Sequence, residues 1–210
     1  WLVPDIALKV ASFNPFRHPA IPVPAHLFSQ SEMPRANAPG FNLEHIEHSN
    51  WLLEKTNALL EKQYHASSLI NGEAHSGSAR QLHSPANTNI TLGVVMDADQ
   101  KAIESAIAGA CLAQAAWNNL GGERRSLILE KIGELLEIHY AELVSLISRE
   151  AGRTLNDGIS EVREAIDFCH YYAASSRQHF VVPTTLTGPT GEINELSLHG
   201  RGVFVCISPW

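Results

Sequence analysis

Gly200-Arg-Gly-Val-Phe-Val-Cys-Ile-Ser-Pro-Trp210 is a short, almost purely apolar run that opens into a Ser-Pro turn. Apolar runs of this length, rich in Val and Ile and bounded by Gly on one side and Pro on the other, read as a buried strand of a parallel sheet. That reading sets the fold class as α/β, because a parallel strand needs crossover connections and helices over its faces. The chain stops at the turn. A buried strand without its next crossover would have bare backbone donors and acceptors, so the coding sequence is expected to continue past Trp210. The other end raises the same expectation: Trp1 is not a start methionine, and Trp-Leu-Val-Pro-Asp-Ile has neither a basic n-region nor a cleavage site.

Upstream of this run, Pro183, Gly188, Pro189 and Gly191 break the helical pattern, followed by the alternation of 193–198 expected of an exposed edge strand. A long helix precedes it. Thr154 is its expected cap, with Ile159, Val162, Ile166, Cys169 and Tyr172 or Tyr171 on the buried stripe, and Glu161, Arg163, Glu164 and Asp167 toward water. Residues 123–140 form another helix through Ile128, Ile132, Leu135 and Leu136, extended by Leu143, Leu146 and Ile147 to a stop at Gly152. Before that, Asp97 and Gln100 stand in capping-box spacing ahead of Ile103, Ile107, Ala110, Ala113 or Gln114, and Trp117, up to Gly121 and Gly122.

Leu69-Ile-Asn-Gly-Glu73 carries a hairpin signal and residues 89–96 have the β-branched content of a strand; together they suggest a small antiparallel element. Residues 42–64 place Leu43, Ile46, Trp51, Leu52, Leu59 and Leu60 on one helical stripe. Residues 1–41 hold Pro4, Pro15, Pro19, Pro22, Pro24, Pro34 and Pro39, a density that favours an extended connector or wrapping arm.

Bulk properties exclude several functions. A net charge of -7, a pI near 5.9 and no Lys/Arg cluster give no footprint for nucleic acid or an anionic membrane. No apolar run approaches the roughly 20 residues of a membrane span. Cys111, Cys169 and Cys206 lack CxxC spacing and sit in apolar patterns, which reads as buried, reduced thiols of a cytoplasmic protein. Cys206 lies one residue from the Ser-Pro turn, yet its apolar strand position would raise its pKa, so it is not read as a nucleophile. His45 and His48 stand at i,i+3, but two ligands without a third are a solvated helix face, and no metal site is assigned. Gly200-Arg-Gly202 precedes its strand and lacks a third Gly, so it is a turn and not a dinucleotide fingerprint. Glu161, Arg163 and Glu164 read as the wet face of their helix.

Three segments carry a family resemblance: Glu150-Ala-Gly-Arg-Thr-Leu155, Glu161-Val-Arg-Glu-Ala-Ile-Asp-Phe-Cys-His-Tyr-Tyr-Ala173 and Gly202-Val-Phe-Val-Cys-Ile-Ser-Pro-Trp210. In order and spacing they resemble the N-terminal third of an aldehyde dehydrogenase, and Leu69-Ile-Asn-Gly-Glu73, Ser84-Pro-Ala-Asn87 and Gly93-Val-Val95 resemble its opening strands. Phe16-Arg-His-Pro-Ala-Ile-Pro-Val-Pro-Ala-His-Leu-Phe28 resembles the connector of the bifunctional enzymes that fuse proline dehydrogenase to an aldehyde dehydrogenase. The implied fold is the N-terminal portion of the aldehyde dehydrogenase fold, helices plus the first strands of its NAD-binding domain, behind a Pro-rich connector. The implied division is 1–41 connector, 42–64 joining helix, and 65–210 the incomplete dehydrogenase portion.

The resemblance implies a parent that oxidises proline to pyrroline-5-carboxylate with FAD, in a module outside this chain, and then glutamate semialdehyde to glutamate with NAD. Such a parent would be a cytoplasmic homo-oligomer with small-molecule substrates, the alternative placement being peripheral to the membrane through its proline dehydrogenase module. Ile207, Ser208, Pro209 and Trp210 would contribute to the cofactor floor, at the carboxyl end of a strand where open α/β sheets bind ligands. The family's oxyanion-stabilising Asn comes next, and its nucleophilic Cys and general-base Glu lie far downstream, so no catalytic residue is assigned and this stretch is expected to be inactive by itself. The alternatives are a stand-alone aldehyde dehydrogenase with another substrate and a non-enzymatic helical interaction domain.

Overall fold

The computed structural model describes residues 21–208. The N-terminal half of the expected connector, residues 1–20, and the last two residues lie outside the described range. From residue 21 to 41 the chain is an arm that turns once through a 3₁₀ segment, Pro24–His26, where Pro24 supplies the fixed φ at the first position. The arm then runs without regular structure to Ala38, which is buried and donates its N–H to Asp167 Oδ1 at 2.6 Å.

Helix α1, Ile46–Asn57, is shorter than the stripe over 42–64 suggests. Its buried face is Leu52 with Thr56, one turn apart, and the Thr56 hydroxyl is satisfied by the Leu52 carbonyl at 2.9 Å. Leu59 and Leu60 fall in the turns that follow, and Tyr64 already belongs to strand β1, Tyr64–Ser67.

The hairpin is where the Asn-Gly signal places it, with β2, Leu69–Ile70, paired to β3, Glu73–Ala74. Asn71 and Gly72 both have positive φ, 53° and 86°, as a two-residue turn between right-twisting strands requires. Strand β5, Thr91–Asp97, does not join this hairpin. It lies in the middle of a separate three-stranded sheet, parallel to β1 and antiparallel to β4, Ser78–His83. The expected small antiparallel element is therefore two sheets, one of them mixed. β1 and β4 escape the pattern because their exposed faces carry few apolar residues.

The helical part runs from α2, Gln100–Asn119, through α3, Gly121–Ile138, and α4, Tyr140–Ala151, to α5, Leu155–Phe180. The cap of α2 is Asp99, not Asp97: Asp99 Oδ1 accepts the Ala102 N–H at 2.8 Å, while Asp97 ends β5 and pairs with Arg80 at 2.8 Å. Gly152, at φ 68°, ends α4 in the left-handed conformation. Thr154 and Asp157 form a reciprocal capping box at the start of α5.

Two contacts organise these helices. Val144 of α4, Ile159, Val162 and Ile166 of α5, Leu52 of α1 and Ala38 of the arm form one buried cluster. Farther along, α3 and α5 approach so closely that only small groups fit between them. Ser126 is fully buried, its hydroxyl within hydrogen-bonding distance of the Gly122 and Ala173 carbonyls. This crossing corrects two expectations. The buried residues of α3 are Gly122, Ser126 and Gly133, leaving Ile128, Ile132 and Leu135 about 40% exposed. On α5, Ala173 and Ala174 take the buried places expected for Tyr171 or Tyr172, which are 37% and 55% exposed.

After α5, β6, Thr184–Leu186, pairs antiparallel with β7, Asn194–Leu196, within the expected edge strand. The decisive apolar run differs from its reading. Residues 203–208 form no strand, and Phe204, Val205 and Ile207 are 71%, 77% and 89% exposed. A strand exists only through its ladder, and none of the described strands lies beside this segment. For the same reason Cys206 is exposed. Cys111 is exposed on α2 and Cys169 half-buried on α5, so none of the three thiols is buried as expected.

Candidate functional site

The expected cofactor floor sits at the C-terminal end of this architecture. The last described tie between that end and the helices is the Gly200 N–H, which donates to Asn118 Oδ1 of α2 at 2.7 Å. Gly202, at φ 128°, then redirects the backbone. Beyond it Ile207 and Ser208 are adjacent and exposed, while Pro209 and Trp210 lie outside the described residues. With no ladder under them and Ile207 almost fully in solvent, Ile207 and Ser208 do not by themselves make a cradle for a dinucleotide.

Other candidates from the sequence resolve into structural roles. His48 Nδ1 accepts the Asn42 N–H at 3.2 Å and its ring stacks on Phe41 with centroids 4.8 Å apart, so it organises the start of α1. Among the described residues no group of three or more His, Cys, Asp or Glu is placed to hold a metal. Burial pushes the Cys169 thiol up, the reverse of what a nucleophile needs. No helix among the described residues is long and apolar enough to cross a membrane.

The charges on α5 are less uniformly wet than their spacing suggests. Glu161 pairs with Arg153 at 2.8 Å, Asp167 holds the arm, and Arg163 has its Nε shut off from solvent without a hydrogen-bond partner among the described residues. Only Glu164 of the four is simply exposed. Helical spacing gives no sign of this, because the arm that covers the helix is distant in sequence.

The aldehyde dehydrogenase family profile matches residues 73–210. Bifunctional protein PutA of Escherichia coli is 31% identical over 196 residues, taking in 92% of this chain and 13% of its own length. 1-Pyrroline-5-carboxylate dehydrogenase 1 of Halalkalibacterium halodurans is 32% identical over 170 residues, or 80% of this chain and 32% of the relative. Among solved structures, 1-pyrroline-5-carboxylate dehydrogenase from Thermus with bound NAD superposes with a TM-score of 0.71 at 25% identity, covering 77% of this chain and 32% of that one. The chain thus spans about a seventh of the PutA length and a third of the stand-alone dehydrogenases. Its helices, hairpin and opening sheet match the N-terminal portion of that mixed α/β fold, and the chain belongs to the aldehyde dehydrogenase family.

Proposed function

We propose that this chain is the connector and N-terminal dehydrogenase portion of a bifunctional proline-catabolic enzyme. In that parent an FAD-dependent proline dehydrogenase oxidises proline, and an NAD-dependent L-glutamate γ-semialdehyde dehydrogenase oxidises the product to glutamate. Residues 1–41 are the connector, 42–64 the joining segment, and 65–210 part of the NAD-binding domain. Ile207, Ser208, Pro209 and Trp210 enter the cofactor floor once further strands of the sheet lie beside them. The parent is a homo-oligomer, and this portion has no aldehyde-oxidising activity of its own.

One observation carries the choice of a bifunctional parent over a stand-alone dehydrogenase. The match to PutA takes in 92% of the chain, which necessarily includes the arm, whereas the match to the H. halodurans dehydrogenase leaves out a fifth. The arm is also integrated with the fold, since Ala38 is a member of the main hydrophobic cluster.

The test is the coding region on both sides together with the activity of its product. A proline dehydrogenase module encoded before Trp1, Asn-Phe-Pro or a close variant directly after Trp210, and proline-dependent NADH formation by the whole product are the expected results. Absence of the upstream module sinks the bifunctional reading. NADH formation from an aldehyde by the 210-residue chain alone sinks the assigned inactivity.

A further inference from the structure

We infer that the cavity between the proline-rich arm and the first half of α5 is a binding site for a compact monocarboxylate with an aromatic or otherwise apolar body. The cavity has a volume of about 420 Å³ and is open to solvent. Two guanidinium groups line it, and neither has a carboxylate partner among the described residues. Arg35 lies over the Phe28 ring at 3.7 Å and faces the Tyr171 ring at 5.2 Å, and its one hydrogen bond among the described residues is a long one, 3.4 Å, to the Met33 carbonyl. The aromatic pair holds the guanidinium by its faces and leaves all of its in-plane donors but the one toward Met33 unused. Arg163 has a buried Nε–H with no acceptor among the described residues. A buried charged donor without a partner is costly, and a carboxylate, with two oxygens matched to the guanidinium fork, is the group that relieves it.

The other lining groups narrow the ligand. Asp167 also lines the cavity, but one of its oxygens already accepts the Ala38 N–H at 2.6 Å. Glu164 is exposed at the rim and has no bond among the described residues. The two carboxylates in the lining balance the two guanidiniums in net charge, so attraction for an anion rests on the unsatisfied guanidinium N–H donors and not on excess positive charge, which favours the smallest added charge, a monoanion. A phosphate dianion or a dicarboxylate would meet Glu164 with its second charge. Phe28, Phe168 and Tyr171 supply aromatic walls, and Phe168 and Tyr171 are 50% and 37% exposed there, so an apolar body gains by covering them.

Benzoate is the probe, titrated into the 210-residue chain and followed by calorimetry and by the side-chain Nε–H resonances of arginine. The expected result is saturable one-to-one binding that shifts the Arg163 and Arg35 Nε–H signals. Benzamide, which keeps the ring and loses the charge, and inorganic phosphate are expected to bind roughly tenfold weaker or worse. Arg163→Gln and Arg35→Gln are each expected to weaken benzoate roughly tenfold with an unchanged far-ultraviolet circular dichroism spectrum, while Arg201→Gln changes nothing. The proposal is overturned by non-saturable benzoate binding, by phosphate binding as well as benzoate, or by saturation that leaves both Nε–H signals unmoved. The resonance measurement needs no variant, so a substitution that unfolds the chain does not rescue the idea.

Discussion

Arg177 of α5 clasps Glu130 of α3 through two parallel N–H···O bonds, Nη2 donating to Oε2 at 2.8 Å and Nη1 to Oε1, while its Nε donates to Glu123 at 3.1 Å. One guanidinium thereby ties two turns of α3 to the C-terminal part of α5, beside the crossing where Ser126 and Ala173 are buried. The planar fork gives this pair a fixed geometry that a lysine would not reproduce.

Arg177→Ala is expected to lower stability by about 1–2 kcal/mol, above the usual range for an isolated surface pair because three guanidinium nitrogens bonded to carboxylates are lost at a two-helix contact. Arg177 and Glu130 are each about one-third exposed, which keeps the effect from being larger. Arg177→Lys should recover less than half. Urea midpoints at neutral pH give the comparison, and an unchanged midpoint for the alanine variant would show the clasp to be ornamental.

The same pair has a pH signature. The Arg177 guanidinium holds the Glu130 carboxyl below its usual range against an opposing contribution from burial. The folded pKa is therefore lower than the unfolded value of about 4.3, so the pair's contribution is complete above that pH and is lost as pH falls through the folded value. Glu130→Gln should be less stable than the unaltered chain at pH 7, and the gap should shrink as unfolding is repeated toward pH 3. A gap that stays constant would mean that the carboxylate charge contributes nothing.

Features written in a few adjacent residues were legible: the Thr154 cap, the stop at Gly152, and the Asn71-Gly72 turn all depend on local backbone geometry. What was not legible depends on partners distant in sequence. The α3–α5 seam is built from Gly122, Ser126 and Ala173, so an apolar stripe of large side chains points to the wrong face. Residues 203–207 have strand composition, but composition cannot supply the neighbouring strand. Ile207 and Ser208 end that segment without the strand the pattern placed beneath them, and their contact with a cofactor rests on the family resemblance. Arg35 and Arg163 had no sequence signal, since what pairs them is the fold of the arm over α5.

Gly122→Ala tests the seam directly. Replacing a helical glycine by alanine ordinarily stabilises by up to about 1 kcal/mol. Here an added Cβ would stand 2.7 Å from the Ser176 carbonyl oxygen and 2.9 Å from Phe180 backbone and side-chain carbons. Overpacking against backbone costs about 1–3 kcal/mol, so the net sign is expected to be destabilising. A thermal melt at or above that of the unaltered chain would show that the two helices can part at no cost.

Tyr140 packs against the main cluster, and burial pushes its phenol up to about 12. Because the unfolded phenol ionises near 10, the unfolded state gives up its proton first, and stability is expected to fall as pH rises from about 10 toward 12. Tyr140→Phe should flatten that decline. Denaturation at pH 9 and pH 11 compares the two, and equal declines would show that Tyr140 ionises as if in water.

The arm's attachment depends on one acceptor. Ala38 is 1% exposed, and its N–H has Asp167 Oδ1 as its partner at 2.6 Å. Asp167→Ala leaves that buried donor unsatisfied, which costs about 1–3 kcal/mol, and Asp167→Asn retains a weaker, uncharged acceptor. The penalty falls on arm docking more than on the α3–α5 seam, since the other contacts of the arm at this point are the apolar ones around Ala38 and Phe41. Limited proteolysis is therefore expected to cut between residues 21 and 41 fastest in the alanine variant, at an intermediate rate in the asparagine variant and slowest in the unaltered chain, with the helical circular dichroism signal retained in all three. Equal cutting rates would show that the arm is held by its apolar contacts alone.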